Sequence, residues 1–272
     1  MARVEKYTAG VVSYHLRHNT RESPKPPINI EIDSERCYLN YTLSSHGEIA
    51  KECYSYYKQR ISEVYLYGNK AVNTMAQWVI TAPADLSKED ESAFFEAAHN
   101  YCNSLYGERN CVQSVVHYDE GVRNSNGDII AGRPHLHYSF IPIVKNKRFM
   151  KPNAHGNITE SAKYKEKVCA NDLLNKKHLQ NWHIDFQNYL DRRGIKCSVL
   201  NGATAEGNRT VEQLKKETKL RELEKENELL KEQVKDLKKA HEITASPWSD
   251  SSRSGWSKGA KQSWTQEQEK EY

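Results

Sequence analysis

The residues best suited to chemistry gather in two short stretches, "HYDEG" beginning at His117 and "RPHLHYSF" beginning at Arg133. His135 and His137 alternate within an otherwise apolar run, the spacing that puts both imidazoles on one face of a β-strand and turns Leu136 the other way. His117 closes an earlier strand-like run, "CVQSVVHY", and Asp119 and Glu120 follow it. Between the two runs lies "VRNSNGDIIAGR", whose Asn126-Gly127 pair is the dipeptide favoured in two-residue hairpin turns. The runs are therefore expected to return side by side in antiparallel register, with His117 facing His135 and His137. A lone histidine is more often an ordinary core residue. Three neutral imidazoles that leave positions open for water and substrate describe a catalytic metal site better than a closed structural one.

Elements that could hold this group can be read on either side of it. Residues up to about 200 mix strand-like runs ("GVVSYHL", "MAQWVITA", "CVQSVVHY", "HLHYSFIPIV", "IKCSVL") with amphipathic helical runs, an α+β pattern. "SKEDESAFFEAAHNYCNSLYG" predicts a helix with Ser87 as N-cap, an acidic first turn and Gly107 as its stop. Its stripe of Phe94, Phe95, Ala98, Tyr101, Cys102 and Leu105 reads as core packing. "NDLLNKKHLQNWHIDFQNYLDRRG" predicts a second helix with Leu179, Trp182, Phe186 and Leu190 inward and Gly194 beyond its end.

A net charge of +4 permits nucleic-acid binding without demonstrating it, but basic residues cluster in "LRHNTRESPK", "KNKRFMK", "KYKEK", "NKK" and "DRR", all within the first two hundred residues. No apolar run approaches the roughly 20 residues that span a bilayer. The opening "MARVEKYTAG" has no apolar core of a secretion signal, and the six cysteines, Cys37, Cys53, Cys102, Cys111, Cys169 and Cys197, form no C-x-x-C pair. A cytoplasmic protein with reduced, mostly buried thiols is expected.

Composition changes twice along the chain, predicting an α+β domain over 1–205, a helical segment over 206–243 and a disordered tail over 244–272. In the middle segment Leu220, Leu223, Asn227, Leu230, Val234 and Leu237 follow spacings of three and four, the seam of a coiled coil, with Asn227 at a position where a polar residue favours two strands. A homodimer through residues 220–237 is one expectation; a single helix in solvent or lying on the domain is the other. The tail spaces Trp248, Trp256 and Trp264 evenly beside serines, a pattern suited to docking on a partner or stacking on unpaired bases.

Beyond the metal motif itself, "HYDE" with "RPHLHYSFIPI", the stretches "RHNTRE", "ERCYLNYTL", "QWVITAP", "AFFEAAHNYCNSLYG" and "LNGATAEGNRTVEQLKKE" occur in an order that resembles the Mob/Pre class of plasmid mobilisation relaxases, members of the HUH nucleases. The resemblance covers roughly residues 7–240. It departs from the family pattern in the longer insert, residues 121–133, between the D-E and P-H-x-H elements, with Arg133 where threonine is common. The chain also ends soon after one short coiled coil.

The resemblance implies an antiparallel sheet of HUH-nuclease type flanked by helices. It further implies an enzyme that nicks one strand at a plasmid transfer origin, keeps the 5′ phosphate covalently and later rejoins it. On this carry-over His18 is the nucleophile, Arg21 stabilises charge on the phosphate and Glu120 orients or deprotonates His18, with Asp119 as its competitor. Tyr41 and Tyr14 are the rival nucleophiles, since tyrosine serves most HUH enzymes. Arg17, Arg21, Lys25, Tyr41 and Arg133 are expected to contact DNA, single-stranded or hairpin, near the nick. His117, His135 and His137 would hold Mn²⁺ or Mg²⁺, although affinity order alone favours Zn²⁺. The tail is a candidate contact for conjugation machinery. Two alternatives are a rolling-circle initiator or transposase on the same fold, and a non-catalytic DNA-binding repressor.

Overall fold

Alternation of small and large apolar residues along three long strands builds the centre of the molecule. The computed structural model describes residues 2–22, 32–68, 71–123, 129–200 and 211–244. In chain order these form β1 (Ala2–Thr8), α1 (Ala9–Asn19), β2 (Tyr41–Thr42), α2 (Ala50–Ser62), β3 (Asn73–Thr81), α3 (Glu91–Tyr106), β4 (Cys111–His117), β5 (Gly121–Arg123), β6 (Ile129–Ala131), β7 (His135–Phe140), β8 (Ile143–Lys145), β9 (Glu166–Val168), α4 (Ala170–Leu173), α5 (Lys176–Arg192) and α6 (Val211–Thr244). By contacts the chain divides into Met1–Gly207 and Asn208–Tyr272.

In the first unit a five-stranded antiparallel sheet runs in the order β1-β3-β7-β4-β2. Its two faces differ in chemistry. Ala76, Trp78 and Ile80 of β3, Val116 of β4 and Leu136, Tyr138 and Phe140 of β7 pack against α3 and α5 through Phe94, Phe95, Tyr101, Trp182 and Phe186. The rings of Trp78 and Trp182 stack at 4.1 Å, which ties α5 to the middle of the sheet. The opposite face carries Met75 and Val112, packed with Val12, Leu16, Cys53 and Tyr57 from α1 and α2. Buried polar residues, Gln77, Gln113, His117, His135, His137 and Ser139, belong to the same strands. Period-two alternation thus sorts the apolar residues of β7 to one face and its two histidines to the other.

Several elements differ from the sequence reading. "GVVSYHL" lies in α1 rather than in a strand: β1 takes the sheet edge, and Val12 and Leu16, one helical turn apart, are both buried beneath the sheet. The β-branched pair at Val11 and Val12 gives a local strand signal that packing overrides. "IKCSVL" forms no strand either. Ile195 and Val199 are buried, and the backbone here is satisfied by side chains: Val199 N–H donates to Gln187 Oε1 at 2.8 Å, and Gln187 Nε2 donates to the Cys197 carbonyl at 2.9 Å. "HLHYSFIPIV" divides, because β7 ends at Phe140 and β8 pairs instead with β9; Pro142 cannot donate to a ladder.

The expected helix after Ala170 is broken into α4 and α5, with the Asn175 side chain accepting from His178 N to cap the second. Ser87 caps a short 3-10 turn that leads into α3, and Gly107 ends that helix at φ 86. Leu105 is exposed and Tyr106 takes the inward place, its hydroxyl accepting from Trp78 Nε1 at 2.9 Å. Three cysteines, Cys53, Cys102 and Cys111, are buried; Cys37, Cys169 and Cys197 are partly exposed, and all six are free thiols.

The second unit contains α6, a continuous helix of 34 residues. Leu220, Leu223, Leu230, Val234 and Leu237 of the predicted seam are exposed on it. Lys25, the Asn126-Gly127 turn, the linker at 201–210 and the tail with Trp248, Trp256 and Trp264 lie outside the described residues. Among the described residues no helix is long and apolar enough to cross a membrane.

Candidate metal centre

Register brings the three histidines together. β4 and β7 pair so that His117 lies opposite His135, and Val115 opposite His137. Their ring centroids are 4.6 to 5.4 Å apart, and Glu120, just beyond β4, closes the group. One donor atom from each of His117, Glu120, His135 and His137 lies within 4.8 Å of the others. The expected three-histidine set is therefore joined by Glu120, placed in the sequence reading beside the nucleophile or in a metal's outer shell.

Hydrogen bonds define which nitrogens are bare. His117 Nε2 is 2.7 Å from the Asn19 carbonyl, an acceptor only, so Nε2 carries the proton and Nδ1 offers its lone pair to the cluster. His135 Nε2 stands 3.6 Å from Glu120 Oε2. His137 is fully enclosed, and its Nε2 is buried with no hydrogen-bond partner. Burial first, then the neighbouring cation Arg21 for His117 and the adjacent histidines for His137, holds both rings well below the ordinary histidine range, and burial likewise lowers His135. All three are neutral ligands in waiting. An orphaned buried nitrogen and three neutral imidazoles with a carboxylate, one donor atom of each within 4.8 Å of the others, suit a divalent cation. A cation already stands at their edge: Arg21 Nη2 is 3.1 Å from His117 Nδ1 and 2.9 Å from Glu120 Oε1.

Arg21 is held by more than these contacts. Its Nε and Nη2 donate to the two oxygens of Asp119, both at 2.7 Å, and Nη1 donates to the His18 carbonyl at 3.2 Å. The residue sits just past α1 at φ 60, a left-handed conformation that glycine fills more readily and that costs about 1 kcal/mol or more for other residues. The fork-to-fork pair with a buried carboxylate supplies that cost. Asp119 also accepts from Cys37 Sγ at 3.0 Å and Asn40 Nδ2 at 2.7 Å, while Asn40 Oδ1 accepts from the Tyr118 backbone at 2.8 Å. Burial opposes ionisation of Asp119, but Arg21, Cys37 and Asn40 outweigh it and hold the carboxyl well below the usual carboxylate range. Its lone pairs are committed, so Asp119 works as the anchor of Arg21 and of the 33–40 segment, and Glu120 is the carboxylate left facing the cluster.

This anchor has a measurable consequence. Asp119→Ala leaves the Arg21 guanidinium, whose side chain is 13% exposed, with Glu120 as its one remaining carboxylate partner, and is expected to destabilise the fold by about 3 kcal/mol, within the range for breaking a buried pair. Because the folded pKa is depressed, the contribution is present above the unfolded value near 4 and is lost as pH falls through the lower folded value. Denaturant unfolding at pH 7 should show the full deficit and unfolding in strong acid a smaller one. An equal deficit at both would mean that packing, not ionisation, accounts for it.

His18 occupies the last turn of α1, two residues before the Thr20 cap. Its ring is partly buried, and burial, then the charge of Arg21, lowers its pKa against opposing contributions from Glu120 and Asp119. His135 and His137 lie within the same electrostatic range. Arg21, bonded to the His18 carbonyl and to Glu120, ties the end of α1 to the group of Glu120 and the three histidines.

Other predicted residues fall elsewhere. Tyr41 pairs opposite Val116 on β2, and its ring packs with Tyr118 and the α3 side of the sheet, away from the histidine face. Tyr14 is exposed on α1, one turn before His18, and Arg17 and Arg133 are exposed. Roles went unassigned in the sequence to Asn19, Cys37, Gln77, Gln113 and Ser139. A buried glutamine amid the apolar alternation of "MAQWVITA" was the available signal for Gln77.

A five-stranded antiparallel sheet carrying histidines on two adjacent strands, with a helix end beside them, defines an α+β domain with a candidate metal site. Residues 1–216 match the family described as plasmid recombination enzyme, Mob_Pre, and the chain belongs to that family. It is 29% identical over 150 residues to a plasmid recombination enzyme of Bacillus thuringiensis, covering 53% of this chain and 31% of that protein. A second, of Lactiplantibacillus plantarum, is 26% identical over 211 residues, covering 72% of this chain and 47% of that protein. The chain thus spans less than half of the length of these relatives.

Among solved structures, the fold matches the MobM relaxase domain bound to plasmid pMV158 oriT DNA, a Mn-bound crystal structure, with a TM-score of 0.57 and 23% identity over 79% of this chain and 97% of that one. A further MobM complex, with 26-nucleotide oriT DNA, matches with a TM-score of 0.50, 20% identity and the same 79% coverage of this chain.

Proposed function

We propose that this protein is a relaxase that nicks one DNA strand at a plasmid transfer origin, with His18 as nucleophile, and holds the 5′ end until it is rejoined. The observation that carries the reading is the cluster of His117, Glu120, His135 and His137, to which Arg21 ties the end of α1 that bears His18. The kinship with plasmid recombination enzymes and the fold shared with an oriT-bound relaxase domain support it.

In this reading His117, Glu120, His135 and His137 hold a divalent cation, Mn²⁺ or Mg²⁺, which when bound polarises a phosphoryl oxygen of the scissile group. His18 supplies a ring lone pair to phosphorus. An N–P bond forms, the P–O3′ bond breaks, the electron pair leaves on the 3′ oxygen, and the 5′ phosphate stays on the protein as a phosphoramidate. Glu120, next to both His18 and the cluster, stabilises the charge that appears on the imidazole as it attacks and takes up its proton. Rejoining is the reverse step and needs no further energy source. Arg21 completes the site chiefly by orienting Glu120 and the end of α1 through its bond to the His18 carbonyl.

Tyr41 is disfavoured as nucleophile by its place on the other face of the sheet, and burial raises its phenol pKa. Exposed Arg17 and Arg133, with Lys25 in the adjoining segment, supply phosphate contacts near the nick. The test is incubation of the protein with supercoiled plasmid carrying a candidate transfer origin, with and without Mn²⁺. Metal-dependent relaxed circles with protein joined to a 5′ end are expected. Nicking at a replication or transposon origin alone would favour an initiator or transposase, and tight binding without nicking under any divalent metal a repressor. This reading assigns the protein to the cytoplasm and the segment with Trp248, Trp256 and Trp264 to contacts with conjugation machinery.

The exposed seam of α6 supports self-association through residues 220–237, with Asn227 selecting two strands. Light scattering of the full chain should give a dimer mass, and Leu230→Lys, which puts a charge into the seam, should return it toward the monomer. A dimer indifferent to that change would place the interface elsewhere.

A further inference from the structure

His117 presents a bare nitrogen to the cluster through the tautomer its hydrogen bond selects, but His137 does not. Its Nδ1 lies 2.8 Å from Gln77 Nε2. Gln77 Oε1 is already engaged, accepting from Asn19 Nδ2 at 2.9 Å and from Ser139 Oγ at 2.8 Å. The amide nitrogen therefore donates to His137 Nδ1, and the neutral ring carries its own proton on Nε2. That is the nitrogen buried without a partner, and the one that faces the cluster. In this arrangement His137 turns an N–H toward the place where a lone pair is needed.

We propose that Gln77 is a positioning residue that sets the tautomer of His137, and that rotation of its amide switches His137 between a closed and a metal-ready form. The proposal rests on the metal reading above. Rotated by half a turn, Gln77 offers Oε1 to His137 Nδ1–H and frees Nε2 of the ring as a ligand. Its own nitrogen then donates to the Ser139 hydroxyl, which accepts as readily as it donates.

Toward Asn19 the same rotation sets two amide nitrogens face to face, and Asn19 answers by turning its own amide. Asn19 Oδ1, the other buried orphan of this chain of amides, becomes the acceptor. Asn19 Nδ2 also donates to Gln113 Oε1 at 2.8 Å, and Gln113 Nε2 to the Leu16 carbonyl at 3.3 Å, so turning Asn19 gives up its bond to Gln113 unless Gln113 turns away from Leu16, and the cost reaches the last turn of α1, where His18 is carried. Rearranging three buried amides costs free energy that cation binding must supply, and native affinity is held below what the ligands alone would give.

A glutamate at position 77 removes that cost. Both carboxylate oxygens accept, so Asn19 Nδ2, Ser139 Oγ and His137 Nδ1–H are satisfied together with no amide turned. The experiment measures Mn²⁺ affinity by titration calorimetry and the histidine tautomers by long-range ¹H–¹⁵N NMR of the metal-free protein.

In the wild type His137 is expected as the Nε2–H tautomer, and in Gln77→Glu as Nδ1–H. Gln77→Glu should bind Mn²⁺ about tenfold more tightly, and Gln77→Leu about 10- to 100-fold more weakly, the range for losing an outer-shell partner. An Nδ1–H tautomer in the metal-free wild type, or a Glu variant that weakens binding as the Leu variant does, overturns the proposal. Should Gln77→Leu fail to fold, Gln77→Glu and the wild-type tautomer still decide it. A wild type that binds no Mn²⁺ at all would instead sink the metal reading, with the tautomer comparison still reporting on Gln77.

Discussion

On the proposed mechanism, His18→Ala should abolish the covalent protein–DNA adduct and lower nicking by at least about a thousandfold, the order expected when a nucleophile is removed and only binding and charge stabilisation remain. His18→Asn fails equally, because an amide can hydrogen-bond to a phosphate but cannot attack it. His18→Tyr keeps a trace of cleavage at most, since a phenolate on the last turn of α1 reaches further than the ring it replaces. Peptide mapping after reaction with an origin oligonucleotide should place the linkage on His18, and the bond should be acid-labile, as a phosphoramidate is.

The pH profile carries a sign. The reactive ring is neutral, and burial with Arg21 lowers its pKa against Glu120 and Asp119, with His135 also facing it. Nicking should therefore be lost as pH falls through a value below the ordinary 6.5 and stay level above it. An adduct on Tyr14 or Tyr41 in an active His18→Ala protein would move this chain among the tyrosine nucleases.

His137→Ala removes a central ligand. Mn²⁺ affinity should fall by more than the roughly 10- to 100-fold seen for outer-shell partners, and metal-dependent nicking with it. DNA binding should persist and weaken with salt as before, since phosphate contacts supply most of it. Stability separates this role from simple packing. The wild type at a metal concentration 100 times its Kd gains about 2.7 kcal/mol from linkage, and the variant should gain none. Without metal the variant still loses the packing of the buried ring and the partner of Gln77 Nε2, so the metal-induced gain, not the metal-free stability, reports on ligation. Thermal unfolding with and without Mn²⁺ measures both. Full nicking by the variant, or a metal-induced shift equal to the wild type's, would remove His137 from the site.

Much of this site could be read from residue types and spacing. The alternation of His135 and His137 placed both on one strand face, the run ending in His117 placed it opposite, and both follow from the fixed period of a strand. The stripes of α3 and α5 foretold the apolar layer for the same reason, since a helical period is local. Local signals failed where neighbours decide. Val11 and Val12 favour a strand until β1 has taken the edge and Leu16 needs a place beneath the sheet. "IKCSVL" resembles a strand until the Gln187 amide satisfies its backbone.

Only the tertiary structure divided the labour of the two carboxylates. Asp119 and Glu120 are neighbours in sequence and interchangeable as acids, yet the chain carries one inward to Arg21, Cys37 and Asn40 and leaves the other facing three imidazoles. The same holds for Gln77, Asn19 and Gln113, which come from three separate elements and meet only when the sheet forms and α1 lies across it. The sequence by itself determined which side chains could bind a metal or attack a phosphate. Which proton each carries, and which acid is free to act, depends on hydrogen bonds between residues 58 to 98 positions apart, and those exist only in the folded chain.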